Sequence, residues 1–139
     1  MPASHEGGCL CGAIRFRAQG EPRFVAHCHC QSCRKQVGGV VSTFAGYPTK
    51  DVEWTKGKPK AFASSPGVAR SFCPSCGTPL AYESDKRPGD IDLFLGAFDQ
   101  PEKLPATLHV WTSERVSWFH ADESLPRYPR TPRDSKREN

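Results

Sequence analysis

The sequence predicts a mainly-β domain of short antiparallel strands, with at most one or two short helical turns. Three observations predict it. Twelve glycines and thirteen prolines interrupt a chain of only 139 residues, so long helices have little room. Between those breakers, apolar and polar residues alternate with the period of two that a strand requires. Seven cysteines fall into three tight clusters, and a small core gains much from such staples.

The strands can be read in order. Residues 12–18 set Ile14, Phe16 and Ala18 against Arg15 and Arg17, the pattern of a half-exposed strand. Similar extended readings fit residues 23–27, 40–47, 52–55, 68–72 and 106–111. Residues 90–98 are the clearest case, with Ile91, Leu93 and Leu95 facing one way and Asp92 and Phe94 the other. Helical turns fit only residues 31–37, which contain neither Gly nor Pro. Glycine and proline separate nearly every piece, at Gly20, Pro48, Gly57, Pro66, Pro88 and Pro105 among others. Residues 1–126 are expected to form one domain, and the Pro- and Arg-rich residues 127–139 a disordered basic tail.

Composition narrows the function classes. No run of about 18 apolar residues exists, so no membrane-spanning helix is expected. The opening MPASHEGGCLCG lacks a charged start followed by an apolar stretch, which makes the cytoplasm the expected compartment. The net charge of +4 is uneven. Residues 126–139 hold five basic and two acidic residues, a surplus of three, leaving one positive charge for residues 1–125. Seven thiolates with two divalent ions add −7 and +4, a net −3, which takes residues 1–125 to −2. Such a surface makes no electrostatic case for nucleic acid.

The cysteines carry the chemistry. They stand as Cys9-Leu-Cys11, as Cys28-His-Cys30-Gln-Ser-Cys33 and as Cys73-Pro-Ser-Cys76. A reducing compartment and an odd count both argue against disulfides. Two sulfurs on a tight turn can reach one small ion, and neighbouring glycines let backbone N–H groups approach the thiolates. The competing reading of either Cys-x-x-Cys is a redox dithiol at a helix N-terminus; Gly77 and Pro79 directly after Cys76 disfavour a helix there. Seven ligands divide as four and three. Cys9, Cys11, Cys73 and Cys76 make a closed set for a structural zinc, and Cys28, Cys30 and Cys33 make an open set for a catalytic one. Spacing alone does not force that division, because His27 or His29 could close the second set. Arg34 and Lys35 either hold a substrate carboxylate or are solvated charges. His27 and His29 either shuttle protons or point away. Trp54, Trp111, Trp118, Phe44 and Phe94 read as core or pocket wall.

Gly8-Cys-Leu-Cys-Gly12, Cys28-His-Cys-Gln-Ser-Cys-Arg-Lys35 and Phe72-Cys-Pro-Ser-Cys-Gly-Thr-Pro-Leu80 together resemble the glutathione-dependent formaldehyde-activating family, which includes centromere protein V. The ending Leu108-His-Val-Trp111 through Trp118, then Leu125-Pro126, is similar as well, so the likeness spans residues 7–126. The resemblance implies an Mss4-like fold. It implies a structural zinc on Cys9, Cys11, Cys73 and Cys76, and a second zinc on Cys28, Cys30 and Cys33 with its fourth place open to water or a substrate thiol. It further implies a carbon–sulfur lyase that joins glutathione and formaldehyde, or a related thiol and small aldehyde. The alternative is a zinc-ribbon-like adaptor with two structural zincs and no chemistry of its own.

Overall fold

The computed structural model describes residues 3–138; Met1 and Pro2 of the expected domain and Asn139 of the expected tail lie outside the described residues. Ten strands and one α-helix occur among the described residues. In chain order they are β1 (Ser4–Gly8), β2 (Arg15–Gln19), β3 (Phe24–Cys28), α1 (Gln31–Val37), β4 (Ser42–Pro48), β5 (Val52–Lys56), β6 (Lys60–Ser65), β7 (Val68–Phe72), β8 (Pro79–Ser84), β9 (Asp90–Phe94) and β10 (Leu108–Val110). The mainly-β expectation holds, and the α-helix lies where residues 31–37 predict it. Four three-residue 3-10 turns add short helical geometry, two of them next to prolines, at Thr49–Asp51 and Pro101–Lys103.

The described residues group into two compact units. The first takes the described residues up to Arg23 together with Ala45–Leu104; the second takes Phe24–Phe44 and the described residues from Pro105 on. Each is therefore closed by segments far apart in sequence.

In the first unit, β1, β2 and β5 form an antiparallel sheet, and β6 to β9 form an antiparallel run in sequence order. Phe16 is completely buried and meets Trp54 and Phe98 edge-on, with ring centroids 5.9 and 5.0 Å away. β1 escapes periodicity because it ends in Gly7 and Gly8. A Cβ on Gly7 would stand 2.3 Å from the Ala97 carbonyl oxygen, so only glycine permits this approach. The alternation expected over residues 90–98 stops at Phe94, where a 3-10 turn takes over. Asp92 faces inward on β9 and is held there by both terminal nitrogens of Arg87, each at 2.8 Å.

In the second unit, β10 pairs with β3 in parallel, the exception to the antiparallel expectation. The 60 residues of Ala45–Leu104 lie between β3 and β10, ample length for the crossover connection that a parallel pair requires. Val25, Ala26 and Phe44 are buried here. Residues 127–138, expected as a disordered tail, instead run beside β10. His109 N–H donates to the Pro126 carbonyl at 2.8 Å, Tyr128 N–H to that of His109 at 3.0 Å, and Trp111 N–H to that of Arg130 at 2.9 Å. A free edge of β10 offers backbone groups that need partners, and this segment supplies them.

Candidate metal centres

The first unit builds its cysteine site from two knuckles of the same design. After β1 the chain turns at Cys9–Gly12, closed by Gly12 N–H to the Cys9 carbonyl at 3.1 Å. After β7 it turns at Cys73–Gly77, closed by Gly77 N–H to the Cys73 carbonyl at 2.8 Å. Both closing glycines adopt a left-handed φ, +80° and +82°. Tight turns of this kind point successive cysteines inward together. The Sγ atoms of Cys9, Cys11, Cys73 and Cys76 all lie within 4.8 Å of one another.

The donor spacing fits zinc. A tetrahedral ion with sulfur at about 2.3 Å sets its sulfurs about 3.8 Å apart. Cys9 and Cys11 stand 3.6 Å apart, and Cys11 and Cys73 stand 3.8 Å apart. A disulfide would need about 2.05 Å, and all seven cysteines are free. The backbone is arranged for thiolates too. Ile14 N–H points at Cys9 Sγ (3.2 Å), and Ser75 and Cys76 N–H point at Cys73 Sγ (3.4 Å each). Thr78 joins the knuckles: its hydroxyl meets Cys76 Sγ at 3.2 Å and accepts Leu10 N–H at 3.0 Å. The Thr78 hydroxyl and backbone lower the Cys76 pKa to about 5. Cys11, although favoured as a thiolate by Ala13 N–H, is pushed up to about 11 by the Cys9 and Cys76 sulfurs. Sulfurs this close share their protons, and all four ionise together only around a cation.

The second unit builds its site at the end of β3. Cys28 closes the strand, and Cys30 is the N-cap of α1, with extended backbone and its sulfur accepting Cys33 N–H at 3.3 Å. Cys33 lies one turn into the helix, which brings it back to Cys28, with the sulfurs 3.6 Å apart. The helix ends at Gly38 in the left-handed region, whose N–H satisfies the Arg34 carbonyl. Glu114 holds the helix start from 83 residues away, its carboxylate accepting Gln31 N–H at 2.8 Å. The three sulfurs lie within 4.8 Å of one another, and Cys28 and Cys33 are buried. Hydrogen-bond sharing with Cys30 and Cys33, together with burial, pushes the Cys28 pKa far up. Two cysteine groups could thus hold metal ions, and both suit zinc.

The histidines lie elsewhere. Among the described residues no histidine nitrogen joins the three sulfurs within that 4.8 Å, so neither His27 nor His29 is gathered into the second set. Along an extended strand they face away from Cys28. His29 Nε2 meets His109 Nδ1 at 2.9 Å, and His109 Nε2 meets the Asp122 carbonyl at 3.2 Å. A carbonyl only accepts, so His109 carries its proton on Nε2, and His29 donates to the bare Nδ1. His27 Nδ1 bonds the Thr43 hydroxyl at 2.8 Å. Burial and the neighbouring His109 lower His29 to about 4, and the same causes lower His27. His27, His29 and His109 thus form a histidine cluster along the strand that carries Cys28, with His29 and His109 buried.

Sequence reasoning overlooked His109, Thr43, Thr78 and Glu114. Thr78 alone had a local signal, standing directly after Cys76-Gly77. Asp99 makes a two-pronged ion pair with Arg15 (2.9 Å on one side) beside the first knuckle. Phe44 and Phe94 are buried as expected, but Trp118 is 69% exposed and belongs to no core.

The sequence profile described as "glutathione-dependent formaldehyde-activating enzyme" matches residues 4–114. The chain belongs to this family. Among similar proteins is an uncharacterized lyase of Schizosaccharomyces pombe, 36% identical over 97 residues, which covers 68% of this chain and 69% of the relative. Another is a putative glutathione-dependent formaldehyde-activating enzyme of Halomonas elongata, 27% identical over 126 residues, covering 84% and 80%. A solved structure of a Rhodobacter sphaeroides protein aligns with a TM-score of 0.55 at 18% identity, over 68% of this chain and 87% of that one, a likeness of fold alone. No helix among the described residues is long and apolar enough to cross a membrane.

Proposed function

We propose that this chain is a zinc-dependent enzyme of the carbon–sulfur lyase type, acting on the adduct of a thiol and a small aldehyde such as glutathione and formaldehyde. Cys9, Cys11, Cys73 and Cys76 hold the structural zinc, and Cys28, Cys30 and Cys33 hold the catalytic one. The observation that carries this reading is the gathering of three sulfurs, without a histidine nitrogen, in a chain of this family. In the forward direction the thiol sulfur bonds to the carbonyl carbon and the thiol proton ends on the former carbonyl oxygen; the lyase direction reverses both. A zinc ion in the second set would supply a place for the substrate thiol and lower its pKa, giving a nucleophile near neutral pH.

The chain's own residues prepare that place. Cys33 N–H and the α1 cap fix Cys30, and Glu114 fixes the first turn of the helix. Three thiolate donors concentrate negative charge there, which favours thiol activation over polarising an aldehyde oxygen. The buried His29–His109 hydrogen bond ties the residue that follows β3 to β10. Free thiols of this number suit a reducing, cytoplasmic setting.

The test is hemithioacetal formation and breakdown measured on zinc-loaded protein. Cys30→Ser is expected to abolish the catalysed rate and release one of two zincs. Equal rates in wild type and Cys30→Ser would remove the second set from the reaction. Two equally inert zincs that ignore added thiol would point to the adaptor alternative.

A further inference from the structure

We infer that Arg34 is a specificity-determining residue, anchoring a carboxylate of the thiol substrate beside Cys28, Cys30 and Cys33. The inference rests on the proposed thiol-binding role of that site. Six arginines, Arg15, Arg17, Arg23, Arg87, Arg115 and Arg127, each have a carboxylate oxygen within ion-pair distance. Arg70 lies over the Tyr82 ring, 4.9 Å from its centroid. Arg34 differs from all of these. It is partly buried, follows Cys33 directly, and among the described residues has no carboxylate within 4.0 Å. Its Nε donates instead to a neutral acceptor, the His29 carbonyl, at 3.2 Å.

That one bond sets the geometry. His29 stands between Cys28 and Cys30, so the guanidinium bridges the two stretches of chain that carry the three sulfurs. With Nε occupied, the opposite edge of the planar group still offers its two terminal nitrogens as a fork, the arrangement that binds a carboxylate through two parallel hydrogen bonds. Lys35 is exposed and has no comparable anchor among the described residues. The charge around the site favours the same ligand: three thiolates and a divalent ion sum to −1, and a substrate thiolate makes −2. An arginine held at this point offsets that repulsion toward an anionic substrate.

A purely structural arginine would balance the metal's surroundings and treat all thiols alike. The two roles separate in a binding experiment on the full chain with cobalt(II) exchanged into the metal sites, whose absorption reports entry of a thiol. Glutathione and its diethyl ester, which lacks both carboxylates, are titrated into wild type, Arg34→Gln and Arg34→Lys. The anchor predicts that Arg34→Gln weakens glutathione about tenfold or more, the scale of a charged hydrogen bond on a partly exposed group, while the ester changes less than about twofold. Arg34→Lys should recover part of the loss, because charge remains without the fork. Equal weakening of both thiols, or no change in either, overturns the inference while leaving the thiol site in place. A wild type whose spectrum responds to neither thiol overturns the thiol-binding reading itself, and the inference with it.

Discussion

Cutting the first metal centre should cost the fold far more than cutting the second, and the size of the difference follows from chain geometry. Cys73→Ser combined with Cys76→Ser leaves only Cys9 and Cys11, too few to hold an ion. The lost crosslink closes a loop of 62 residues between Cys11 and Cys73. Treated as a crosslink on the unfolded chain, closure of that length stabilises by about 4 kcal/mol. Cys30→Ser with Cys33→Ser removes a crosslink spanning only 5 residues, from Cys28 to Cys33, worth about 2 kcal/mol on the same scale. A domain's whole stability is about 5–15 kcal/mol, so the first loss is a large part of it. At about 4 °C per kcal/mol for a chain of this size, the first double variant should melt about 15 °C below wild type, and the second about 8 °C. Thermal unfolding with metal analysis of each variant reads both. Equal shifts, or a larger shift from the second pair, would refute the assignment of the long-range crosslink to the first centre.

Thr78→Val removes the hydroxyl that joins the knuckles, and should weaken metal at the first centre about tenfold to a hundredfold in chelator competition, with the second unchanged. On acidification the two centres should empty separately. Cys76, held near 5 by Thr78, keeps its thiolate until the pH falls through that value, so its contribution is present above about 5 and lost below. Although Cys11 is raised, Cys9 is lowered like Cys76, whereas Cys28 and Cys30 of the second set are both raised, so the second centre should release metal at the higher pH, as a two-step metal-release titration would show. His109→Ala leaves the buried His29 donor without its acceptor and opens a cavity, a loss of about 3 kcal/mol in urea unfolding. His109→Gln should restore part of it, and both metals should remain.

Much of this was legible in the residues. Cysteine spacing identified three clusters, because tight turns constrain neighbouring sulfurs whatever the rest of the chain does; their division into four and three came from counting ligands and from the family resemblance. The helix at Gln31–Val37 was readable from the absence of breakers, and the structure ends it at Gly38. Strands escaped where pattern and burial part company. β1 relies on glycine for a close approach, β6 is exposed along its whole length, and β8 opens on Pro79. The backing of each site was hidden for a different reason. His109 and Glu114 act on residues 80 and 83 positions away, and no local period announces a hydrogen bond at that distance. The same holds for the final segment, whose Pro- and Arg-rich composition reads as solvated, yet whose carbonyls meet the backbone of β10.

Zinc K-edge X-ray absorption on the purified chain, with metal analysis, tests the whole account at its root. It predicts two zinc ions per chain, with sulfur at about 2.3 Å averaging about three and a half per ion and the balance about half a light atom per ion, without imidazole outer-shell scattering. One zinc or none, or a histidine ring completing the second set, would contradict it.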